Sequence, residues 1–530
     1  MAAPSDTCAF ILTVAGVTLF KCLLVPAYRS TDFEVHRNWL AITHSLPISK
    51  WYYEDTSEWT LDYPPLFAWL ELALSHAARW FDPAMLAVGN VGYASPATVL
   101  FQRLSVTATD ALLVYAAWEC SRCVRGKVKG RPGELTLSPG LGFAALIVTN
   151  VGLLLVDHIH FQYNGFLSGL MLLSIARLYQ GKVYTAAFLF SLLLNFKHIY
   201  LYLAPAYGVH MLRTFCFTRS RPDGGVLWRS LSVARLLGLA AIVLSVFACS
   251  FGPFIAMGQL PQVLSRLFPF RRGLCHAYWA PNAWALYNAA DKALAIAGVR
   301  AGLWNGSSVA TAAMTGGLVR EAEHAVLPSV PPGATVACTL LATLPALWAL
   351  WSRPCGPRHF VRCATLCALA AFLFGWHVHE KAILIAILPL TLLAVESRED
   401  AETFLILATT GHLSLFPLIF TLPELPIKIG LMLMYTIFSF STLRSLVCGA
   451  RERLLGPCAA GYLAGLATLA LLVEVAFPLS PWRSALPFLP LLATSCYCAV
   501  GVALAWLRLL RSLGSARRPR GRDDDRRKAQ

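Results

Sequence analysis

Four short stretches of this chain concentrate side chains that could do chemistry: Asp32 to Arg37, Asp157 to Asn164, Phe268 to Tyr278 and His377 to Lys381. In the first, Thr31 and Glu34 have the spacing of a capping box, which predicts a short helix starting at Thr31. Asp32 then sits beside a helix N-terminus at the water boundary, where it and Glu34 either complement the helix dipole or face a ligand. The run that follows, with Trp51, Tyr52, Tyr53, Glu54, Asp55, Trp59, Asp62 and Tyr63, is dense in aromatic rings and carboxylates. Aromatic faces pack on sugar rings and carboxylates accept hydroxyl hydrogen bonds, so this composition suits carbohydrate, although interfacial aromatic belts share it. Asp157, His158, His160, His377, His379 and Glu380 are residue types that hold zinc or iron. Their spacing matches no known metal motif, and binding of sugar or diphosphate, or holding span ends in register, competes with the metal reading. Arg271 and Arg272, flanked by Phe and Pro, either bind phosphate or anchor their loop at lipid headgroups.

The elements that must position these groups belong to a bilayer. Of 530 residues, 57% are hydrophobic and only 14% charged, too apolar for a soluble domain. Apolar stretches recur from Phe10 to Trp506 and predict an all-α integral membrane bundle of about 11 to 14 transmembrane helices. They fall near 9–27, 99–118, 140–156, 163–178, 183–196, 199–213, 232–253, 334–352, 362–376, 382–396, 402–420, 427–447, 457–477 and 487–509. The expected organisation is one polytopic domain over 1–515, with long loops at 28–98 and 254–333 and a basic, disordered tail at 516–530. The first stretch, Phe10 to Ala27, carries Lys21 and lacks a small-residue cleavage site, so it reads as a retained span. In the first long loop, Val35, Trp39, Ile42 and Leu46 form a stripe that can lie on the membrane surface. After Asp62-Tyr63-Pro64-Pro65, Glu71, Ser75 and Arg79 recur every four residues as the polar face of a second surface helix.

The formal charge of +16 does not point to nucleic acid, because the basic residues gather in alternate short loops and the tail. Those loops are cytosolic by the positive-inside rule, which places both long loops and all four polar clusters on the opposite face. Asn305, in the single Asn-x-Ser/Thr sequon, falls on that face as well and is a glycosylation candidate. Fifteen cysteines without a compact Cys-rich segment do not make a disulfide framework, and the lone Cys120/Cys123 pair has no partner pair for zinc. A transporter would use Lys197, His198, His379 and Lys381 along a path, but the hydropathy shows no internal repeat and the long loops stay unexplained.

The motifs Asp32-Phe33-Glu34-x-x-Arg37-x-Trp39, Leu61-Asp62-Tyr63-Pro64-Pro65, Asp157-His158-x-His160-Phe161-Gln162-Tyr163-Asn164, Phe268-Pro269-Phe270-x-Arg272-Gly273-Leu274 and His379-Glu380-Lys381 closely resemble one family. It is the family of dolichyl-phosphate-glucose-dependent alpha-1,3-glucosyltransferases of the endoplasmic reticulum, of glycosyltransferase C architecture, and the resemblance runs from about Phe20 to Leu507. The wording at Val35 to Trp39, Leu274 to Asn282 and Gly375 to His379 is similar to the member that adds the second glucose to the lipid-linked N-glycan precursor; addition of the first is the alternative.

The resemblance implies dolichyl phosphate glucose as donor, a monoglucosylated dolichyl-diphosphate oligosaccharide as acceptor, contact with membrane lipid, no cofactor and no catalytic metal. It also implies a multi-pass protein of that membrane, with a lumenal active site and a cytosolic C-terminus. A beta-linked donor and an alpha-linked product make the reaction inverting, with one base. The family's motif maps that base to Asp32, with Glu34 as second choice. His379, Lys381, Arg272 and Arg271 are candidates to meet the leaving phosphate. Arg37, Trp39, Asp62, Tyr63, Asp157, His158, His160, Gln162, Asn164 and Glu380 are candidate substrate contacts.

Overall fold

The computed structural model describes residues 4–124, 137–221, 224–268, 273–276, 278–303 and 324–515. Arg271, Arg272, Asn305 and the tail lie outside the described residues. As expected, the fold is helical; among the described residues the only β structure is three isolated bridges. Nine helices there are long and apolar enough to cross a membrane: Asp6–Leu23, Pro96–Ser121, Pro139–Phe161, Val233–Ala256, Pro332–Ser352, Gly356–Phe374, Leu422–Val447, Pro457–Leu479 and Leu489–Gly514. The further segments drawn from sequence are shorter helices packed among them, such as Asn164–Tyr179, Val183–Phe196 and Leu384–Ala394. The span Pro139–Phe161 is 83% buried and Pro457–Leu479 only 6%, so the first is central and the second peripheral.

The helix α1 (Pro4–Leu23) is the first span. Its Lys21 does not reach for solvent: it is buried and donates to Asp110 at 2.6 Å, and Asp110 also contacts His158 at 2.8 Å. A buried charge is stable only when paired, and this pair ties α1 to the centre of the bundle.

The first long loop departs from the sequence expectation in three ways. Helix α2 (Thr31–Ser45) begins as expected, but its cap is Ser30, whose Oγ accepts from the Asp32 backbone N–H. Glu34 therefore has no capping role; both of its oxygens accept from Arg37, at 2.7 Å each. Trp39 and Ile42 are fully buried instead of lying on a membrane surface. They pack with Phe33, Trp51, Tyr52, Phe67, Phe161 and Tyr163 into a second apolar core. The helix α3 (Pro65–Ala78) turns two of the three residues of the expected polar stripe inward: Glu71 meets His36 at 2.7 Å and Ser75 meets His44 at 3.1 Å, both across to α2, while Arg79 just past its end stays exposed. The period of four was read correctly but the face was inverted, because the partners that satisfy Glu71 and Ser75 are histidines of α2 and not water.

The decisive local feature lies at the end of the central span. Leu154–Phe161 is wound as a π-helix, and Phe161 ends it in the left-handed region at φ 95°, strained for a residue with a Cβ. Arg103 holds this end by donating to the carbonyls of Ile159 at 2.9 Å and Tyr28 at 2.8 Å. The turn sends the His160 carbonyl to Ser30, whose N–H and Oγ both donate to it, so the start of α2 is fastened to the end of the π-helix.

Candidate active site

That fastening brings Asp32 to three partners. Its Oδ2 accepts from Lys381 Nζ at 2.6 Å and from Gln162 Nε2 at 2.6 Å, and lies 3.1 Å from His160 Nε2. Lys381 Nζ is also 2.9 Å from His160 Nε2, so the ammonium bridges carboxylate and imidazole. Burial alone would raise the Asp32 carboxyl, but the Lys381 charge, with His160 close by, outweighs it and holds the group well below the usual carboxylate range. The Asp32 side chain stays 23% exposed, which leaves it an open side.

Behind Asp32 runs a chain of amides. Asn164 Nδ2 donates to Gln162 Oε1 at 2.8 Å and to Asp157 Oδ1 at 2.9 Å, while the Gly165 N–H donates to Asp157 Oδ2 at 2.6 Å. These bonds fix the Gln162 amide so that its NH2 must point at Asp32. Gly165 is required here: a Cβ at that position would lie 1.9 Å from Asp110 Oδ1.

Beside this cluster opens a cavity of about 320 Å3. Asp62, Tyr63, Gln162, Asn164, Lys197, Tyr200, Tyr202, Trp376, His379 and Lys381 are among the residues that line it. Lys197 Nζ stands 3.3 Å from Asn164 Oδ1 and 4.8 Å from the centre of the Tyr63 ring. Burial, and then Lys381, lowers its pKa to about 8. Two lysines and the imidazoles of His198, His377 and His379 thus meet aromatic walls and the Asp62 carboxylate, an arrangement able to hold an anionic group and a sugar together.

The structure brings together Asp32, His160, Gln162, Asn164, Lys381, His379, Asp62 and Tyr63. Asp157 stands behind them as acceptor from Asn164 and Gly165. It separates the others: Arg37 is fully buried, donating to Glu34 and to the Met85 carbonyl at 2.8 Å, and Trp39 is a core side chain. His158 belongs to the Asp110 and Lys21 group. Glu380 is fully buried and faces His276. Tyr200, Tyr202 and Trp376 were not singled out as site residues from sequence, and Lys197 was named only for the transporter alternative; the available signal was a lysine amid an apolar run, the kind of residue that costs too much to bury without a use.

Residues 17–509 match the ALG6, ALG8 glycosyltransferase family. The chain belongs to that family. It is 60% identical over 504 residues to the mouse (Mus musculus) protein named dolichyl pyrophosphate Glc1Man9GlcNAc2 alpha-1,3-glucosyltransferase, covering 95% of both chains. It is 60% identical to the Bos taurus protein of the same name, over 94% of both. A Drosophila melanogaster protein named as a probable enzyme of this kind is 47% identical over 92% of this chain and 91% of its own. Among solved structures, ArnT from Cupriavidus metallidurans aligns with a TM-score of 0.40 and 14% identity, over 96% of this chain and 78% of that one. The chain is therefore a membrane glycosyltransferase whose conspicuous polar cavity is the one beside Asp32.

Proposed function

We propose that this protein transfers glucose from dolichyl beta-D-glucosyl phosphate to the monoglucosylated dolichyl-diphosphate oligosaccharide, forming an alpha-1,3 linkage as the second glucose of the N-glycan precursor. The observation that carries the reading is 60% identity along 95% of a relative bearing that name, in a chain whose Asp32 stands beside a cationic, aromatic cavity. The setting in this reading is the endoplasmic reticulum membrane, with the cavity toward the lumen, which the gathering of basic residues in alternate loops supports.

In the reaction the acceptor's 3-hydroxyl oxygen attacks C1 from the face opposite the phosphate. The new C–O bond forms as the C1–phosphate oxygen bond breaks, the hydroxyl proton goes to Asp32, and dolichyl phosphate leaves with its negative charge. Phosphate is a good leaving group, so no acid is required; Lys381, Lys197 and His379 meet the developing charge, with Arg271 and Arg272 as further candidates. Tyr63, Tyr200, Tyr202 and Trp376 give the glucosyl ring its walls.

The salt bridge between Lys381 and Asp32 adds an order to these events. While Lys381 is on Asp32 the carboxylate is a weak base, far too acidic to draw a hydroxyl proton well. A donor phosphate competes for the same ammonium; as Lys381 turns to it, Asp32 loses its strongest stabilising neighbour and its basicity rises. The base is thus activated where a donor is already bound, which suppresses futile engagement of the acceptor.

The test is an assay of the purified full chain with dolichyl phosphate glucose and two acceptors. Extension of the monoglucosylated acceptor alone is expected. Extension of the unglucosylated acceptor would reassign the enzyme to the first glucose, and no transfer to either would overturn the reading.

A further inference from the structure

Next to the cavity, outside the Asp32 cluster, two loops meet. His377 N–H donates to the Leu274 carbonyl at 2.9 Å, His377 Nδ1 donates to the Gly273 carbonyl at 3.1 Å, and Cys275 pairs with Val378 in a parallel bridge. The register is thus set by backbone contacts and the His377 side chain, without His276, His379 or Glu380. In that register His276 and His379 come together, with ring centres 3.7 Å apart, and Glu380 lies beneath both. Its carboxylate is 3.3 Å from His276 Nδ1 and 4.0 Å from His379 Nδ1.

The Glu380 side chain is fully buried, and beyond its ion-pair contacts with the two histidines neither oxygen accepts a well-aligned hydrogen bond among the described residues. The Nδ1 atoms of His276 and His379 are buried as well, and they too make no well-aligned hydrogen bond there. A carboxylate taken out of water and met only by poorly aligned imidazoles is costly, so native structures pair such groups closely or give them a cation. One nitrogen from each ring and one carboxylate oxygen lie within 4.8 Å of one another, close enough to converge on one ion. Two imidazoles and a glutamate are a ligand set suited to zinc, with three protein ligands and a fourth position left over.

We propose that His276, His379 and Glu380 bind one divalent transition-metal cation of the zinc class, which clamps the loop Gly273–His276 to the segment His377–Lys381. Entry is from the cavity, since the His379 side chain is 40% exposed and lines it while its Nδ1 is buried against Glu380. Binding through Nδ1 leaves the cavity side of the His379 ring free. The metal makes the His379 and Lys381 wall rigid and leaves it net positive. The site does not depend on the glucosyl-transfer reading, because its geometry and its test involve neither sugar nor dolichol.

The test uses the full chain purified in detergent without chelators, exposed to zinc, dialysed and measured by plasma mass spectrometry. About one ion per chain is expected in the wild type, and at least about tenfold less in Glu380→Gln and in His276→Ala. A wild type that keeps less than about a tenth of an ion, or variants that keep as much as the wild type, would overturn the proposal. A second measurement needs no variant: after stripping, the wild type is titrated with cobalt alone. Ligand-field bands without a thiolate charge-transfer band are expected. A thiolate band would place the metal on cysteines, and no ligand-field band would mean no site; either result refutes the assignment.

Discussion

Asp32→Asn separates a base from a binding residue. Asparagine keeps the size and one acceptor oxygen, and the cap of α2 uses the backbone N–H of position 32, so the helix start survives the change. Glu34 cannot stand in, because both of its oxygens are committed to Arg37. Loss of a general base costs about 10²- to 10⁴-fold in rate, and with no substitute carboxylate on α2 the expectation is the upper half, about a thousandfold or more in kcat. That is roughly 4 kcal/mol of transition-state stabilisation at about 1.4 kcal/mol per decade. The donor KM should move the other way. Lys381 loses the anion that holds it at 2.6 Å and becomes freer for phosphate, so KM for dolichyl phosphate glucose stays level or falls. Initial rates with the monoglucosylated acceptor, at varied donor, read both parameters. A kcat within about tenfold of wild type, or a donor KM that rises while kcat is kept, would refute Asp32 as the base.

Lys381→Met should raise the donor KM by about 10- to 150-fold, the worth of a charge-assisted hydrogen bond of roughly 1.5 to 3 kcal/mol; unchanged donor saturation would remove Lys381 from the phosphate. Lys197 is cationic below its pKa of about 8 and neutral above it, so donor KM should climb as pH rises through 8, and Lys197→Arg should abolish that limb. A flat profile from pH 7 to 9 in the wild type would count against a phosphate role for Lys197. Ser30→Ala removes both the α2 cap and the Oγ bond to the His160 carbonyl; a loss of about 1 kcal/mol is expected, read as a lower Tm that Ser30→Thr restores. Gly165→Ala puts a Cβ 1.9 Å from Asp110 Oδ1 and should displace Asp110 from Lys21 and His158, with a fall in Tm well beyond that of Ser30→Ala.

The sequence carried the helical membrane class and the four polar clusters, each of which brings described residues to the cavity or its edge, because charge alternation and apolar length are local properties that a bilayer enforces. That basis put Asp32 and Lys381 on one face although 349 positions separate them, while their roles as base and phosphate contact came from the family resemblance. What could not be read was which way a polar stripe faces. Glu71 and Ser75 have the period of an exposed face, and only the histidines of α2 decide that the face is inside. Arg37 was a candidate substrate contact through the resemblance; its partners, Glu34 and the Met85 carbonyl, are distributed over the loop and appear only once it folds. The π-helical end at Phe161, on which the whole arrangement turns, has no signature in its residue types.

The amide chain behind Asp32 bears on where the acceptor's proton goes at the close of each turnover. Asn164 and Gln162 hold Asp32 in line with Asp157, but carboxamides neither gain nor lose protons in the working range, so this chain is an insulator and Asp157 receives nothing through it. Of the groups bonded to Asp32, His160 alone can take a proton, because Lys381 is already an ammonium. With Asp32 as the proposed base, its discharge runs outward, to His160 or to water on its exposed side, and the return of Lys381 to the carboxylate resets the pair once the phosphate has left.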